Sequence, residues 1–597
     1  MRPIVFDQTI GWLHPAQGER GVVIAGAHGS EDLCSRRLLT LIARRLAQNG
    51  MPVLQFDYPG CGDAPGDHTA PGQVAGWING IAGAIDRLKS ETGVEDVLVV
   101  GFRLGALLAP AAIAGRGDIA GLALLAPPAS GKAYMRETTG LSRMVDAALP
   151  AYAGATAEPF DGVVAAGFRL SAETVAALRV LEWQGHLADR PDIDLLLMPP
   201  QVAEGHSQLA EGIRTAGGKA ELVALDGFAR LMSSPTANDI PLSAIDVVAQ
   251  WAARLSKPSD RMLNPVDATP PFLDGEGYRE HPVVIEPAPE ICGVLCTPID
   301  ALPGAPVALI LNAGAIPHIG WARGAVEMAR TLARRGIASM RVDLPGLGQS
   351  DTPSEKRLFL YDERASGDVV RILDWLEQRG YGQACAMGIC AGAHQAFHAA
   401  RRDPRISHLG MINPLCFSWN SSYALDMGLS KIRDNARGPL VAEAPPAKDG
   451  ATADGNASAS PLKSVLKLGK PILRGSVEFA KSVLSRLSGE GAMTRRPVEG
   501  WMKSITGRGT QVLVVSCEDD LSLQEIARHF GPDGERLRRM KGVTMMLVPA
   551  ADHTLTPVHA RDMLTGQLIS MLSGAPAMPA SAGAKTQRPS GVFADGR

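Results

Sequence analysis

The chain has 597 residues, 45% of them apolar and 20% charged, enough for two large α/β domains or three to four smaller ones. A formal net charge of −3 excludes a whole-molecule nucleic-acid footprint, and no nucleic-acid partner is expected. Met1 to Arg20 lack a basic stretch leading into an apolar core, and no later apolar run approaches a membrane span, so a cytoplasmic location is expected.

From the N-terminus, an apolar strand, Gly21 to Gly26, leads through Ala27-His28-Gly29 into a helix over Arg36 to Gln48. The strand Pro52 to Phe56 ends in Asp57-Tyr58-Pro59-Gly60-Cys61-Gly62-Asp63, and a helix follows around Trp77 to Leu88. The strand Asp96 to Val100 then feeds Gly101-Phe102-Arg103-Leu104-Gly105-Ala106. This alternation of strand, turn and helix predicts a mostly parallel sheet covered by helices on both faces.

Lys257 to Gly277 is rich in Pro, Asp and Gly and reads as a linker. Beyond it, Pro282 to Ile285 and Gly293 to Cys296 read as leading antiparallel strands, and the earlier order then recurs: strand Val307 to Leu311, helix Trp321 to Arg335, strand Ile337 to Val342. Asp57, Pro59, Gly60 and Gly62 map onto Asp343, Pro345, Gly346 and Gly348 by one offset, 343 − 57 = 286, and Gly101 maps onto Gly388 at one residue more. The chain therefore reads as a duplication, with one α/β domain over 1–256 and a second over 278–574.

In the second copy the apolar run Ala384 to Met387 enters Gly388-Ile389-Cys390-Ala391-Gly392, followed by a helix over His394 to Arg401. G-x-C-x-G has the form of the strand–turn–helix elbow of α/β-hydrolases, with cysteine in place of serine. A thiol attacks only if a base removes its proton and a third group orients that base, and this fold orders them nucleophile, acid, base. After the strand Gln511 to Val515 comes Ser516-Cys517-Glu518-Asp519-Asp520, in which Asp520 is the expected acid and Asp519 the alternative. After the strand Val543 to Val548 comes Pro549-Ala550-Ala551-Asp552-His553-Thr554, and His553 is the expected base.

The backbone N–H of Ala391 and one from Asn312 to Ile316, either Gly314 or Ala315, should form an oxyanion hole. His318 either faces the site or is solvated, and Asp343 is expected to stabilise the loop after its strand. The other cysteines, at 34, 61, 292, 296, 385, 416 and 517, lack metal-ligand spacing and read as small buried apolar residues, so no metal or cofactor is expected.

The first copy carries the elbow without the chemistry. Arg103 occupies the nucleophile position, where a guanidinium cannot be deprotonated, and the terminal loop Leu225 to Arg230 contains no histidine. That half is expected to be inert as a hydrolase. Arg103 either anchors a carboxylate or phosphate or pairs with an internal acid.

Between the sixth strand and Gln511 lies a long insertion, 418–500, where α/β-hydrolases carry a cap. Within it Gly438 to Ser460 has too few large apolar residues to pack and reads as disordered, as does the tail 575–597. Leu462 to Leu487 is a basic amphipathic segment, read as a lid helix over the site, with peripheral membrane contact as the other reading.

Ser35-Arg36-Arg37, Gly60-Cys61-Gly62-Asp63 with Gly66-Asp67, and Arg103-Leu104-Gly105-Ala106-Leu107-Leu108-Ala109 make the first half resemble the exosortase A system-associated hydrolase 2 family. The second half is similar to the companion hydrolase 1 family through Asn312-Ala313-Gly314, Gly320-Trp321-Ala322-Arg323 and the cysteine elbow. It departs from that family at Leu344-Pro345-Gly346-Leu347-Gly348, where an Asp-Tyr-Arg-Gly run is expected, and in its insertion. The resemblance implies tandem α/β-hydrolase domains and an association with surface polysaccharide production. The expected activity is that of an acyl hydrolase or acyltransferase acting on a small-molecule or carrier-linked ester or thioester. The alternative is a non-catalytic scaffold or carrier-binding protein of a polysaccharide export or assembly system.

Overall fold

Two sheets organise the chain. The structure, a computed structural model, describes residues 1–148, 160–188, 190, 192–233, 235, 239–256, 270–352, 361–419 and 495–574. Gly438 to Ser460, Leu462 to Leu487, the tail 575–597 and most of the expected linker lie outside the described residues.

The first half contains β1 (Arg2–Phe6), β2 (Thr9–His14), β3 (Arg20–Ala25), β4 (Val53–Phe56), β5 (Asp96–Phe102), β6 (Ile119–Leu125), a hairpin of β7 (Gly162–Ala165) and β8 (Phe168–Ser171), then β9 (Asp194–Met198) and β10 (Ala220–Leu222). Apart from the hairpin they form one sheet in the order β1-β2-β4-β3-β5-β6-β9-β10. The second half contains β11 (Leu273–Gly275), β12 (Tyr278–Ile285), β13 (Ile291–Pro298), β14 (Val307–Leu311), β15 (Ser339–Asp343), β16 (Ala384–Ile389), β17 (Ile406–Ile412), β18 (Gln511–Cys517) and β19 (Val543–Val548), ordered β11-β12-β13-β15-β14-β16-β17-β18-β19. In each sheet the leading strands pair antiparallel as far as β4 or β15, and the rest pair parallel. This is the α/β-hydrolase order, present twice.

The parallel strands are apolar on both faces because helices cover both. In the second half, Ala308 and Ile310 of β14 pack beneath the helices Gly324–Ala333 and Val558–Ser573. Leu309 and Leu311 face the helices Ser366–Glu377 and Ala391–Arg402 instead.

Several boundaries move from the sequence expectation. The first helix begins at Ser30, not Arg36, with Glu31 and Asp32 in the turn where the helix dipole favours carboxylates. Leu273–Gly275 pair with β12, so the second sheet begins inside the stretch expected as linker. Val498, Met502 and Ile505 bury one face of the helix Arg495–Gly507 in the second core, so residues 495–500 belong to the domain body and not to the cap.

The halves meet through contacts that are reciprocal under the 286 offset. Arg37 donates to Ser350 O at 2.6 Å and Gly348 O at 3.3 Å; Arg323, its counterpart, donates to Ala64 O at 2.8 Å and Gly62 O at 3.0 Å. Arg44 donates to Gln349 O at 2.9 Å and its counterpart Arg330 to Asp63 O at 2.6 Å. Ile10 and Trp12 of β2 pack against Cys292 and Val294 of β13. Such mutual contacts are those of an isologous dimer, here within one chain.

At the centre of this interface lies a fully buried ionic cluster. His318 donates from Nε2 to Asp63 of the first half at 2.7 Å and from Nδ1 to Asp343 at 2.8 Å. Arg341 lies 2.9 Å from Asp63 and 2.7 Å from Glu280, and Arg330 donates to Glu280 at 2.7 Å. Three cations thus face three anions. His318 is therefore neither solvated nor part of the site. Burial alone would lower its pKa, but the Asp63 and Asp343 carboxylates outweigh that and raise it from 6.5 to about 10.

A pKa raised in the folded state contributes stability that is complete below pH 6.5 and is lost as pH rises towards about 10. Urea unfolding should accordingly show a smaller stability near pH 10 than near neutrality. His318→Gln should be destabilised by about 3–5 kcal/mol near neutrality, because two buried carboxylates lose their shared cation, and should lose part of this alkaline dependence. A variant as stable as the parent would remove the cluster from the stability of the interface.

Candidate active site

Cys390 stands between β16 and the helix Ala391–Arg402 with φ 57° and ψ −113°, a sharp backbone conformation that lifts the side chain out of the sheet. The turn needs a neighbour without a side chain: a Cβ on Gly392 would lie 2.7 Å from Asn312 O. Its amide donates to Ile412 O of β17 at 2.9 Å, tying the elbow to the next strand.

Asp520 caps the helix Leu521–Phe530, accepting from Ser522 N at 2.8 Å, and its other oxygen accepts from His553 Nδ1 at 2.7 Å. The aspartate that touches His553 is therefore Asp520; Asp519 occupies the turn before it, at φ 61°. Asn413 holds the loop from behind by donating to His553 O at 2.8 Å. Burial would lower the His553 pKa, but the hydrogen bond to Asp520 and the neighbouring Cys390 raise it to about 10. Burial likewise raises the Asp520 pKa, and the bond from His553 overcomes it, leaving Asp520 below its ordinary value.

Cys390 and His553 each shift the other's titration. Among the described residues, His553 Nε2 is nevertheless buried without a hydrogen-bond partner. Ring and sulfur are thus close enough to shift each other, while their hydrogen-bond geometry is not well aligned.

The eight cysteines separate sharply. Burial pushes the other seven thiols up, to about 12 for Cys34, Cys61, Cys296, Cys385 and Cys517. At Cys390 burial acts in the same direction, but His553, Tyr361 and the Ala391 N–H outweigh it and bring the thiol below its ordinary value. Cys390 is thus the only one of the eight tuned towards thiolate.

Gly314 at φ 63° and the buried Ala315 lie in a loop braced by Asn312, which donates to Ile316 O at 3.0 Å and to Asp343 at 2.9 Å. Asp343 also accepts from His318 N at 2.7 Å and Gln349 N at 2.9 Å, so it holds this loop to the one after β15. Sequence reasoning missed Tyr361, whose hydroxyl is 3.3 Å from Cys390 Sγ; it stands 29 residues before the cysteine with no motif around it.

The first-half elbow has the same backbone, φ 52° and ψ −108° at Arg103, with a different occupant. Arg103 donates to Glu31 at 2.7 Å and Glu137 at 2.6 Å, and its guanidinium lies 5.7 Å from the ring centres of both Tyr134 and Phe228. Of the two expectations for Arg103, the structure shows the internal acid pairing. Phe228 comes from the terminal loop that carries the histidine in the other half.

Residues 18–162, within the arginine half, match the family described as "Hydrolase_4: Serine aminopeptidase, S33". Among solved structures, the chain is similar to Est1E from Butyrivibrio proteoclasticus, determined with ferulic acid bound, at 17% identity over 43% of this chain and 99% of that one, with a TM-score of 0.29. It is similar to the Pyrococcus furiosus esterase PF2001 at 17% identity over 42% and 89%, with a TM-score of 0.30. It is also similar to ATU1826 from Agrobacterium tumefaciens, a protein of unknown function described as a putative alpha/beta hydrolase, at 13% identity over 49% and 94%, with a TM-score of 0.28. No curated protein matches the chain. Among the described residues no helix is long and apolar enough to cross a membrane.

Replacing Asp520 by Asn tests the base pairing without reference to activity. Removing the carboxylate should lower the His553 midpoint, followed by NMR of the imidazole protons, by about one to three units. An unchanged midpoint would detach Asp520 from His553.

Proposed function

We propose that the second half is a hydrolase-class enzyme that transfers acyl groups through Cys390, with His553 as base and then acid and Asp520 as its orienting partner. The observation that carries this reading is the Asp520–His553 pair at 2.7 Å beside a cysteine held in elbow conformation. The family match over residues 18–162 falls in the arginine half and bears on the second half through the strand order that the two halves share.

In this reading the Cys390 sulfur attacks the acyl carbonyl carbon, a C–S bond forms, and the carbonyl pair moves to oxygen, which the Ala391 N–H and one from Gly314 or Ala315 stabilise. Collapse restores C=O, breaks the bond to the leaving group, and passes the His553 proton to it. A water or hydroxyl acceptor then gives its proton to His553 and displaces the sulfur as thiolate. A thiolate favours thioesters or activated esters, small or carrier-linked. The sequence resemblance extends the proposal to acyl chemistry in the cytoplasm that serves surface polysaccharide production.

Incubation with a model acyl thioester, followed by mass spectrometry of the tryptic peptides, should trap an acyl adduct on Cys390. Cys390→Ala should abolish it, and His553→Ala should slow its formation by about 10²–10⁴-fold. Equal labelling in Cys390→Ala would end the catalytic reading in favour of a scaffold.

A further inference from the structure

Above the elbow, Tyr361 is buried against Cys390 and held from two sides. Its ring stacks on Trp419, with centres 5.1 Å apart and planes at 22°, and meets His394 edge-on at 5.4 Å. Its hydroxyl lies 3.3 Å from Cys390 Sγ, and among the described residues that sulfur is its hydrogen-bond partner. A side chain fixed by two rings presents its oxygen to the sulfur at little further entropic cost.

We propose that Tyr361 is a further catalytic residue, whose phenolic O–H donates to the Cys390 sulfur and holds it as thiolate in the resting protein. The proposal rests on the acyl-transfer reading of Cys390 given above. Either atom could donate on geometry alone, and chemistry decides between them: a phenol keeps its proton more strongly than a thiol, so the oxygen supplies the hydrogen and the sulfur the charge.

The groups around the pair act in the same sense. Burial first, then Cys390, Cys416 and Glu525, make loss of the tyrosine proton harder. His394 is kept neutral by burial, which lowers its pKa to about 3, so it does not compete as a cation. His553, backed by Asp520, is the cation opposite. With the Ala391 N–H as a second donor, the thiolate has a hydrogen-bonding shell before substrate arrives, and His553 retains the proton that the leaving group needs.

The test is the pH profile of Cys390 alkylation by iodoacetamide, read by peptide mass spectrometry, in the wild type, Tyr361→Phe and His553→Ala. Phenylalanine keeps the ring and its stacking and removes only the oxygen. The midpoint should rise in Tyr361→Phe by about one to two units. Fluorotyrosine at position 361, a stronger donor with the same ring, should lower it, and this arm stands even if the phenylalanine variant folds poorly. A midpoint unmoved or lowered in Tyr361→Phe, or raised by fluorotyrosine, overturns the proposal while leaving the Cys390–His553 reading intact. If wild-type Cys390 alkylates like a free thiol and His553→Ala changes nothing, the acyl-transfer reading itself fails, and this proposal with it.

Discussion

His318, clamped between Asp63 of one half and Asp343 of the other, is the interaction on which the joined molecule depends. Taking such charges out of water costs several kcal/mol per ion, and only close pairing with remaining hydrogen bonds satisfied offsets that. The offset is available at Asp63 and Asp343, each of which has more than one donor: Asp63 faces His318 and Arg341, and Asp343 also accepts from Asn312 and from two backbone amides. Separating the halves would leave three of the charges without their partners across the interface. The same contacts run along Asn312 to His318, the loop that contains Gly314 and Ala315. An acidic residue of the arginine half thereby helps to hold the loop next to Cys390.

The two elbows separate backbone from chemistry. Their φ and ψ values agree within a few degrees, and both place their residue at the tip of a central parallel strand. In one, the space is filled by a cation with two carboxylates and two aromatic rings, and a guanidinium is not a nucleophile. In the other, the space holds a sulfur, a phenol and an imidazole whose Nε2 has no hydrogen-bond partner among the described residues. A closed ionic cluster stabilises; an open polar pair is available for reaction.

Much of this was legible in the sequence for definite reasons. The elbow demands small residues at fixed spacing, and its neighbours follow from the order of parallel strands, so the bend at Cys390 and the pairing of Asp520 with His553 could be read from local pattern. The offset of 286 was legible because turn residues such as Pro59 and Pro345 are constrained by backbone geometry. The interface was not, because an arginine that reaches across a domain boundary, like Arg37 or Arg323, looks in sequence like any helical surface arginine. His318 looked solvated for the same reason: its two carboxylates are 255 and 25 residues away. Tyr361 carries no periodic or spacing signal, since its place depends on a contact with Cys390 made just before the helix Ser366–Glu377.

The duplication also explains how the arginine half could come to brace the cysteine half. In a true homodimer a residue placed at an isologous interface appears twice, so a histidine clamp on one loop would be mirrored on the other. Within one chain the copies are free to differ. Position 63 is Asp in the first half and its counterpart, 349, is Gln; position 318 is His and its counterpart, 32, is Asp. Gln349 accepts from Thr40 across the interface at 3.0 Å, and Asp32 pairs within its own helix with Arg36 at 2.7 Å, so the mirrored location carries a neutral hydrogen bond in place of the ionic clamp. The arginine contacts that bring the halves together remain symmetric, whereas the ionic clamp falls only on the loop beside the cysteine elbow. These arginine contacts to backbone carbonyls are common to both copies, and the buried histidine clamp is confined to the copy that keeps the thiol.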